Sequence, residues 1–162
     1  MKKIIIFGNS GAGKSTLAKQ LSSQHNLAHL DLDTLAWQPS APPTRKPIVE
    51  SAESISHFIK ENQTWVIEGC YADLIEIALP FSNEIIFLNL PLGLCIENAR
   101  KRPWEPHKYE SKAAQDKNLD MLIEWISQYS SRTDTFSEAA HTQLYQTYSG
   151  KKQLITSNQG AI

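Results

Sequence analysis

Eight residues near the start of the chain have the types and spacing to hold a phosphate. Gly8 to Ser15 fits G-x-x-x-x-G-K-S, with Gly11 and Ala12 between the two outer glycines, Gly8 and Gly13. Glycines let a backbone turn through conformations that a Cβ disfavours, so several amide N–H groups point at one anion. A helix that opens directly after the loop adds its dipole to the same anion. Lys14 then reaches the β- and γ-phosphates of a nucleotide such as ATP, and the Ser15 hydroxyl is placed to ligate Mg²⁺. Thr16 completes the set of loop residues that would touch the nucleotide. A plainer reading is a tight strand-to-helix turn that binds nothing. An eight-residue match, with all four specified positions filled and set between an apolar run and a helical pattern, argues against it.

Acids and arginines further along fall where such a loop would use them. Asp31 and Asp33 stand at i and i+2 behind a short apolar stretch. Beside a bound nucleotide, one would hold Mg²⁺ through water and the other would accept hydrogen bonds from a substrate hydroxyl. Alone, they would read as carboxylates that cap the next turn. Glu68 and Gly69 close a second apolar run. Glu68 would orient the metal shell or act as base toward an acceptor hydroxyl, and Gly69 would let a substrate approach the backbone. The plainer alternative is a strand-end acid followed by a turn glycine. Asn89 ends the next apolar run, where it offers neither charge nor base. Any strong metal-orienting carboxylate must come from Asp31, Asp33 or Glu68.

Cations follow. Arg100, Lys101 and Arg102 share the last turn of a helical segment before Pro103. They either complement the helix C-terminus, at about 0.3–1 kcal/mol each, or reach the transferring phosphoryl group and stabilise its charge. Arg132, between helical patterns, is left to turn toward the phosphates. Trp37 and Arg45 lie in a proline-rich stretch, 34–47, with Pro39, Pro42, Pro43 and Pro47. Trp37 offers a flat apolar wall and Arg45 a fork for an anionic group. A hydrophobic plug beside a solvated arginine fits equally.

The elements that must position these residues follow from periodicity. Residues 2–7 read as a buried strand and 14–25 as a helix with Leu17, Ala18 and Leu21 on one side. A short second strand runs through residues 27–33. Prolines exclude regular structure from 34–47, which reads as a substrate-side loop. Pro47 opens a helix to about Asn62 with a stripe of Ile48, Ala52, Ile55 and Ile59. Strands at 64–69 and 84–90 flank a helix over 71–79. A polar segment from Pro103 looks like a mobile lid, assigned to 103–117. A long helix is expected over 111–129. Thr135 and Glu138 have capping-box spacing for a last helix, whose stripe is Phe136, Ala140, Leu144 and Tyr148. Residues 153–156 read as a fifth strand.

Bulk properties narrow the class. A chain of 162 residues suits a single domain spanning 1–162. The net charge of −1 advertises no nucleic-acid partner. No apolar run approaches the roughly 20 residues of a membrane span. Cys70 and Cys95 form no C-x-x-C pair and read as ordinary thiols in a reducing cytoplasm.

Taken together, Gly8–Thr16, Asp31-Leu32-Asp33, Glu68-Gly69, Arg100 to Pro103 and Arg132-Thr133-Asp134 resemble the small P-loop kinases. That group includes shikimate, gluconate and adenylate kinases, and proteins labelled adenylate-kinase-related or DNA topology modulation proteins. Asp31 and Asp33 resemble the D-x-D of shikimate kinases, which implies Mg²⁺ for Asp31 and substrate hydroxyls for Asp33. Arg102 before Pro103 resembles that family's lid arginine. Arg132-Thr133-Asp134 is similar to the R-x-D of adenylate kinases, which would put Arg132 on the phosphates. The stretch Trp65 to Tyr71 resembles the hydrophobic-acid-glycine-x-tyrosine stretch of the topology modulation group. The glycine triplet of shikimate kinases and the Asp-Gly-x-Pro-Arg of adenylate kinases are missing. The resemblance implies an α/β three-layer fold with a five-stranded parallel sheet and a lid, and a cytoplasmic ATP- and Mg²⁺-dependent kinase for a small molecule, as monomer or homodimer. A nucleotide-binding regulator or nucleic-acid-associated ATPase is the alternative.

Overall fold

The computed structural model describes residues 1–39, 44–106 and 109–157. Lys3–Gly8 (β1), Ala28–Asp31 (β2), Trp65–Gly69 (β3), Glu84–Leu88 (β4) and Lys151–Ile155 (β5) form one sheet of order β2-β3-β1-β4-β5. Every neighbouring pair is parallel. Parallel pairing puts all carboxyl ends on one edge, which is where ligands bind in open α/β sheets.

Side chains alternate across the sheet with period two, and both faces are covered. Ile5, Phe7, Ile67, Ile85 and Phe87 pack on one side against Ile48–Glu61 (α3), Ala72–Ala78 (α4) and Glu138–Thr147 (α8) through Ile55, Leu74, Ile75 and Leu144. Ile4, Ile6, Val66, Ile86 and Leu88 pack on the other against Lys14–His25 (α1), Leu92–Arg100 (α5) and Leu119–Ser127 (α7) through Leu17, Leu21, Cys95, Ala99 and Ile126. This is the expected helix–sheet–helix arrangement. α1 closes at Asn26, which takes a left-handed φ of 55° and donates its N–H to the Ser22 carbonyl.

Several boundaries differ from the reading of the sequence. Residues 34–47 are not loop throughout. Asp33–Ala36 forms a helical turn (α2), and Trp37 then pairs with Arg45 in an isolated antiparallel bridge. Gln38 N–H to Thr44 O at 2.8 Å and Lys46 N–H to Ala36 O at 2.9 Å extend that pairing. Proline excludes its own N–H from a ladder but leaves its neighbours free to pair. The stretch expected as one helix over 111–129 is two, Lys112–Lys117 (α6) and α7, divided at Asn118. Positions 107 and 108 of the expected lid lie outside the described residues. On α3, Ile48 is exposed while Ser51 is buried, with its hydroxyl on the Leu35 carbonyl. The cap of α8 is Ser137, whose Oγ accepts from Ala140 N at 3.0 Å. Thr135 instead accepts from the Asp73 N–H at 2.7 Å and ties α4 to the segment before α8. β5 starts two residues earlier than expected. No helix among the described residues is long and apolar enough to cross a membrane.

Gly11 has φ +77°, and a Cβ there would lie 2.4 Å from the Cys95 carbonyl oxygen. Gly93, in the first turn of α5, has open space around the same position. Gly11→Ala is therefore expected to cost at least about 2 kcal/mol. Gly93→Ala should be neutral or stabilising by about 0.5–1 kcal/mol. Thermal melts of the two variants check this, and equal Tm values would contradict the close packing of the loop against α5.

Candidate active site

The loop between β1 and α1 turns through three glycines with positive φ, Gly8 at 151°, Gly11 at 77° and Gly13 at 90°. It is braced from behind. Asn98 Nδ2 of α5 donates to the Gly11 carbonyl at 2.9 Å, and Asn9 Nδ2 donates to the Ile126 carbonyl of α7 at 3.2 Å. Lys14 Nζ donates to the Asn9 carbonyl at 2.7 Å, so its charge rests on the loop's own backbone. Ser15 Oγ, in the first turn of α1, donates to Glu68 Oε2 at 2.6 Å.

Glu68 stands at the end of β3 with its side chain 2% exposed. β2 and β3 place Asp31 opposite Glu68 in register. Two carboxylates thus face the start of α1. Asp31 Oδ1 accepts the Asp33 N–H at 2.9 Å, which shapes the turn into α2. Cys70 senses the convergence of these charges. Burial pushes its thiol up to about 12, Lys14 acts to lower it, and Asp33 and Asp31 raise it. His29 Nε2 lies 3.0 Å from Glu68 Oε2.

On the substrate side the expected residues are engaged with one another. Trp37 Nε1–H donates to Tyr71 Oη at 2.7 Å, and the Tyr71 hydroxyl donates to Asp33 Oδ1. Burial, then the charge of Asp33, pushes the Tyr71 phenol well above its usual range, so it stays protonated and donates. Arg45 Nη2 bonds Asp73 at 3.2 Å and 3.3 Å, and its guanidinium lies over Tyr71 at 5.0 Å and Phe136 at 5.6 Å. The space in front of Gly69 is taken by Leu32, which a Cβ there would meet at 2.9 Å. Two open cavities, of about 430 Å³ outside α3 and about 360 Å³ between Asn89 and Tyr129, include neither Asp33, Trp37 nor Arg45.

The arginines are placed differently from one another. Arg100 is exposed at the end of α5. Arg102 Nη1 pairs with Glu105 at 3.3 Å. Arg132 is not loose, contrary to expectation. Its guanidinium stacks 3.5 Å from the Trp125 ring centroid, and Nη2 donates to the Trp125 carbonyl at 2.7 Å. Its side chain is 8% exposed, and Nη1 is buried without a hydrogen-bond partner.

The carboxylates beside Ser15, Glu68 and its register partner Asp31, offer oxygens to a cation, and no cluster of three His, Cys, Asp or Glu that would cage a metal occurs among the described residues. That donor set fits Mg²⁺, which keeps several waters and takes few protein ligands. Sequence reasoning passed over His29, whose signal is its place two residues before Asp31 on the same strand face. It passed over Tyr71 as a partner of Asp33, because nothing local ties those two positions.

The model of a family described as an AAA domain matches residues 4–119. The chain belongs to this family. Among curated proteins it is 28% identical over 130 residues to the uncharacterized protein YqaC of Bacillus subtilis, covering 79% of this chain and 72% of that protein. A shikimate kinase from Bacteroides thetaiotaomicron superposes with a TM-score of 0.56 at 16% identity, over 99% of this chain and 89% of the other. A sugar kinase from Janibacter gives 0.55 at 10% identity, over 96% and 85%. A shikimate kinase from Acinetobacter baumannii in complex with shikimate gives 0.52 at 15%, over 99% and 86%. At these identities the likeness establishes the fold. The resemblance read from the sequence thus holds for family and architecture: this is a small P-loop kinase-like protein.

Within this kinase-like frame a buried polar relay fixes the backbone after β3. His141, fully buried in α8, has Nε2 2.8 Å from the Cys70 carbonyl and Nδ1 2.7 Å from Tyr129 Oη. A carbonyl only accepts, so Nε2 carries the proton and Nδ1 accepts from Tyr129. Burial pushes the imidazole down to about 4, against the pull of the Cys70 hydrogen bond. The folded chain therefore binds fewer protons than the unfolded one between pH 6.5 and about 4. Stability is full above that window and should fall through it, by about 3 kcal/mol at its lower end. Urea midpoints at pH 7 and 4.5 measure the drop. His141→Gln should shrink it, and an unchanged pH dependence in that variant would contradict the assignment.

Proposed function

We propose that this chain is an ATP- and Mg²⁺-dependent phosphotransferase that moves the γ-phosphoryl group to a small acceptor bearing a hydroxyl or phosphate. One observation carries the reading. The Ser15 hydroxyl that follows the glycine loop donates to Glu68, a buried acid at the end of the strand beside β1. That contact leaves the hydroxyl's lone pairs for a cation while its proton is held.

On this reading the loop amides of Gly11, Ala12 and Gly13, with Lys14, bind the β- and γ-phosphates, and Gly8 and Thr16 bound the cradle. Lys14 exchanges the Asn9 carbonyl for phosphate oxygens. Ser15 ligates the metal, with Asp31 and Glu68 behind it. When bound, Mg²⁺ would supply charge neutralisation at the phosphate oxygens. Asp33, held by Tyr71, positions the acceptor and takes its proton, with Glu68 as the alternative base. Trp37 and Arg45 border the acceptor, while Gly69, covered by Leu32, gives the acceptor no backbone approach as the chain stands. Arg132, already desolvated and rigid, is suited to the charge that develops on the transferring group, with Arg100 and Arg102 approaching from the end of α5, next to the lid.

A panel of phosphate acceptors scored by acceptor-dependent ADP release tests class and substrate together. The expected result is release driven by one chemical class of small molecule. Lys14→Ala, folded by circular dichroism, should lose at least about 10²-fold in turnover. Normal turnover by that variant would refute the assignment. Hydrolysis stimulated only by a macromolecule would favour the regulatory reading instead.

A further inference from the structure

We propose that His29 is a positioning residue for Glu68, and through it for the Ser15 hydroxyl. The inference rests on the kinase reading above and adds a residue to it. The strand register is its first support. β2 and β3 pair His29 with Val66 and Asp31 with Glu68. Paired positions in parallel strands share a face, so His29, Asp31 and Glu68 all point toward α1. His29 then reaches Glu68 along the diagonal, a distance long side chains span.

Hydrogen-bond chemistry is the second support. An ionised carboxylate only accepts. His29 Nε2 lies 3.0 Å from Glu68 Oε2, and in the tautomer with its proton on Nε2 it donates to that oxygen. Ser15 Oγ donates to the same oxygen at 2.6 Å. Two donors on one oxygen fix the plane of the carboxylate, where one alone would let it swing. Fixation matters here for two reasons. The Glu68 side chain is 2% exposed, so water does little to hold it, while His29 at 21% still touches solvent. Asp31 stands in register beside Glu68, and like charges at such positions repel. With the His29 donor in place, the Ser15 O–H stays aimed at Glu68 and the hydroxyl lone pairs stay turned toward the cation. A serine whose proton wanders presents a lone pair only part of the time. His29 thus acts on metal-dependent nucleotide binding without touching metal or nucleotide.

The experiment is a calorimetric titration of the full chain with ADP over a series of Mg²⁺ concentrations. It reads the Mg²⁺ concentration that half-saturates the gain in ADP affinity. Outer-sphere partners of metal ligands typically change affinity roughly 10–100-fold when removed. His29→Leu should raise the Mg²⁺ requirement by that factor and leave the metal-free ADP affinity unchanged. His29→Gln keeps an amide donor and should recover most of the loss. A purely structural histidine would shift Tm in both variants and leave the Mg²⁺ requirement native, which overturns the proposal. So does an equal loss of ADP affinity with and without Mg²⁺. Should His29→Leu fail to fold, His29→Ala is titrated in its place, and a raised or a native Mg²⁺ requirement decides in the same way. A native chain whose ADP binding ignores Mg²⁺ would instead remove the kinase reading, and this inference with it.

Discussion

A hydroxyl serves a cation well only when its own proton is held elsewhere. In this chain the Ser15 O–H points at Glu68, and that hydrogen bond joins the first turn of α1 to the end of β3. Much of the architecture serves to bring the two together. β1 and β3 lie side by side and parallel, so both end on the same edge. The loop between β1 and α1 must then turn sharply in the space above β3. Gly8 and Gly11 supply that turn, and neither has room for a Cβ, since Leu88 and Cys95 carbonyls stand directly against them. The acid is buried, yet its contacts with Ser15 and His29 give it the hydrogen-bond partners that a buried polar group requires.

The loop is also held from outside the sheet. Asn98 and Asn9 link it to α5 and α7, the helices that flank the expected lid segment. A binding loop fixed in this way loses little conformational freedom on meeting an anion. Preorganisation of that kind is how fixed dipoles become effective in catalysis. The proposed acceptor side is built differently. Trp37, Tyr71 and Asp33 bond in a chain, and Arg45 Nη2 bonds Asp73 while Arg45 Nε is buried without a partner, across the start of α4 and the 37–45 bridge. Those side chains form a polar and aromatic cluster, and under the proposed phosphotransfer an acceptor would exchange some of these contacts for its own.

Local signals carried much of the fold. The apolar runs of β1, β3 and β4 and the glycine pattern between β1 and α1 are written in consecutive residues, and all appear where periodicity puts them. The errors fall where the decisive contact is remote. Thr135 has the spacing of a helix cap because Glu138 follows three residues on, but its hydroxyl is claimed by α4, 62 residues away in sequence. Ser137 takes the cap instead. Arg132 is a different case: it reads as free to turn toward the phosphates, while the fold lays it on Trp125, only seven residues earlier, because the turn after α7 brings the guanidinium back over that ring. Remoteness also hid Tyr71 and His29, each joined to its acid across 38 or 39 positions. Pairwise chemistry was legible, and its long-range addresses were not.

The claim on which the account stands is that the glycine loop, Lys14 and Ser15 grip the terminal phosphates of a nucleotide. A crystal structure of the chain grown with MgADP tests it most directly. The account predicts the β-phosphate in the loop, Lys14 Nζ moved from the Asn9 carbonyl to a phosphate oxygen, and Ser15 Oγ on the metal with its contact to Glu68 kept. An empty loop with Lys14 still on Asn9, or a nucleotide bound elsewhere, would contradict it.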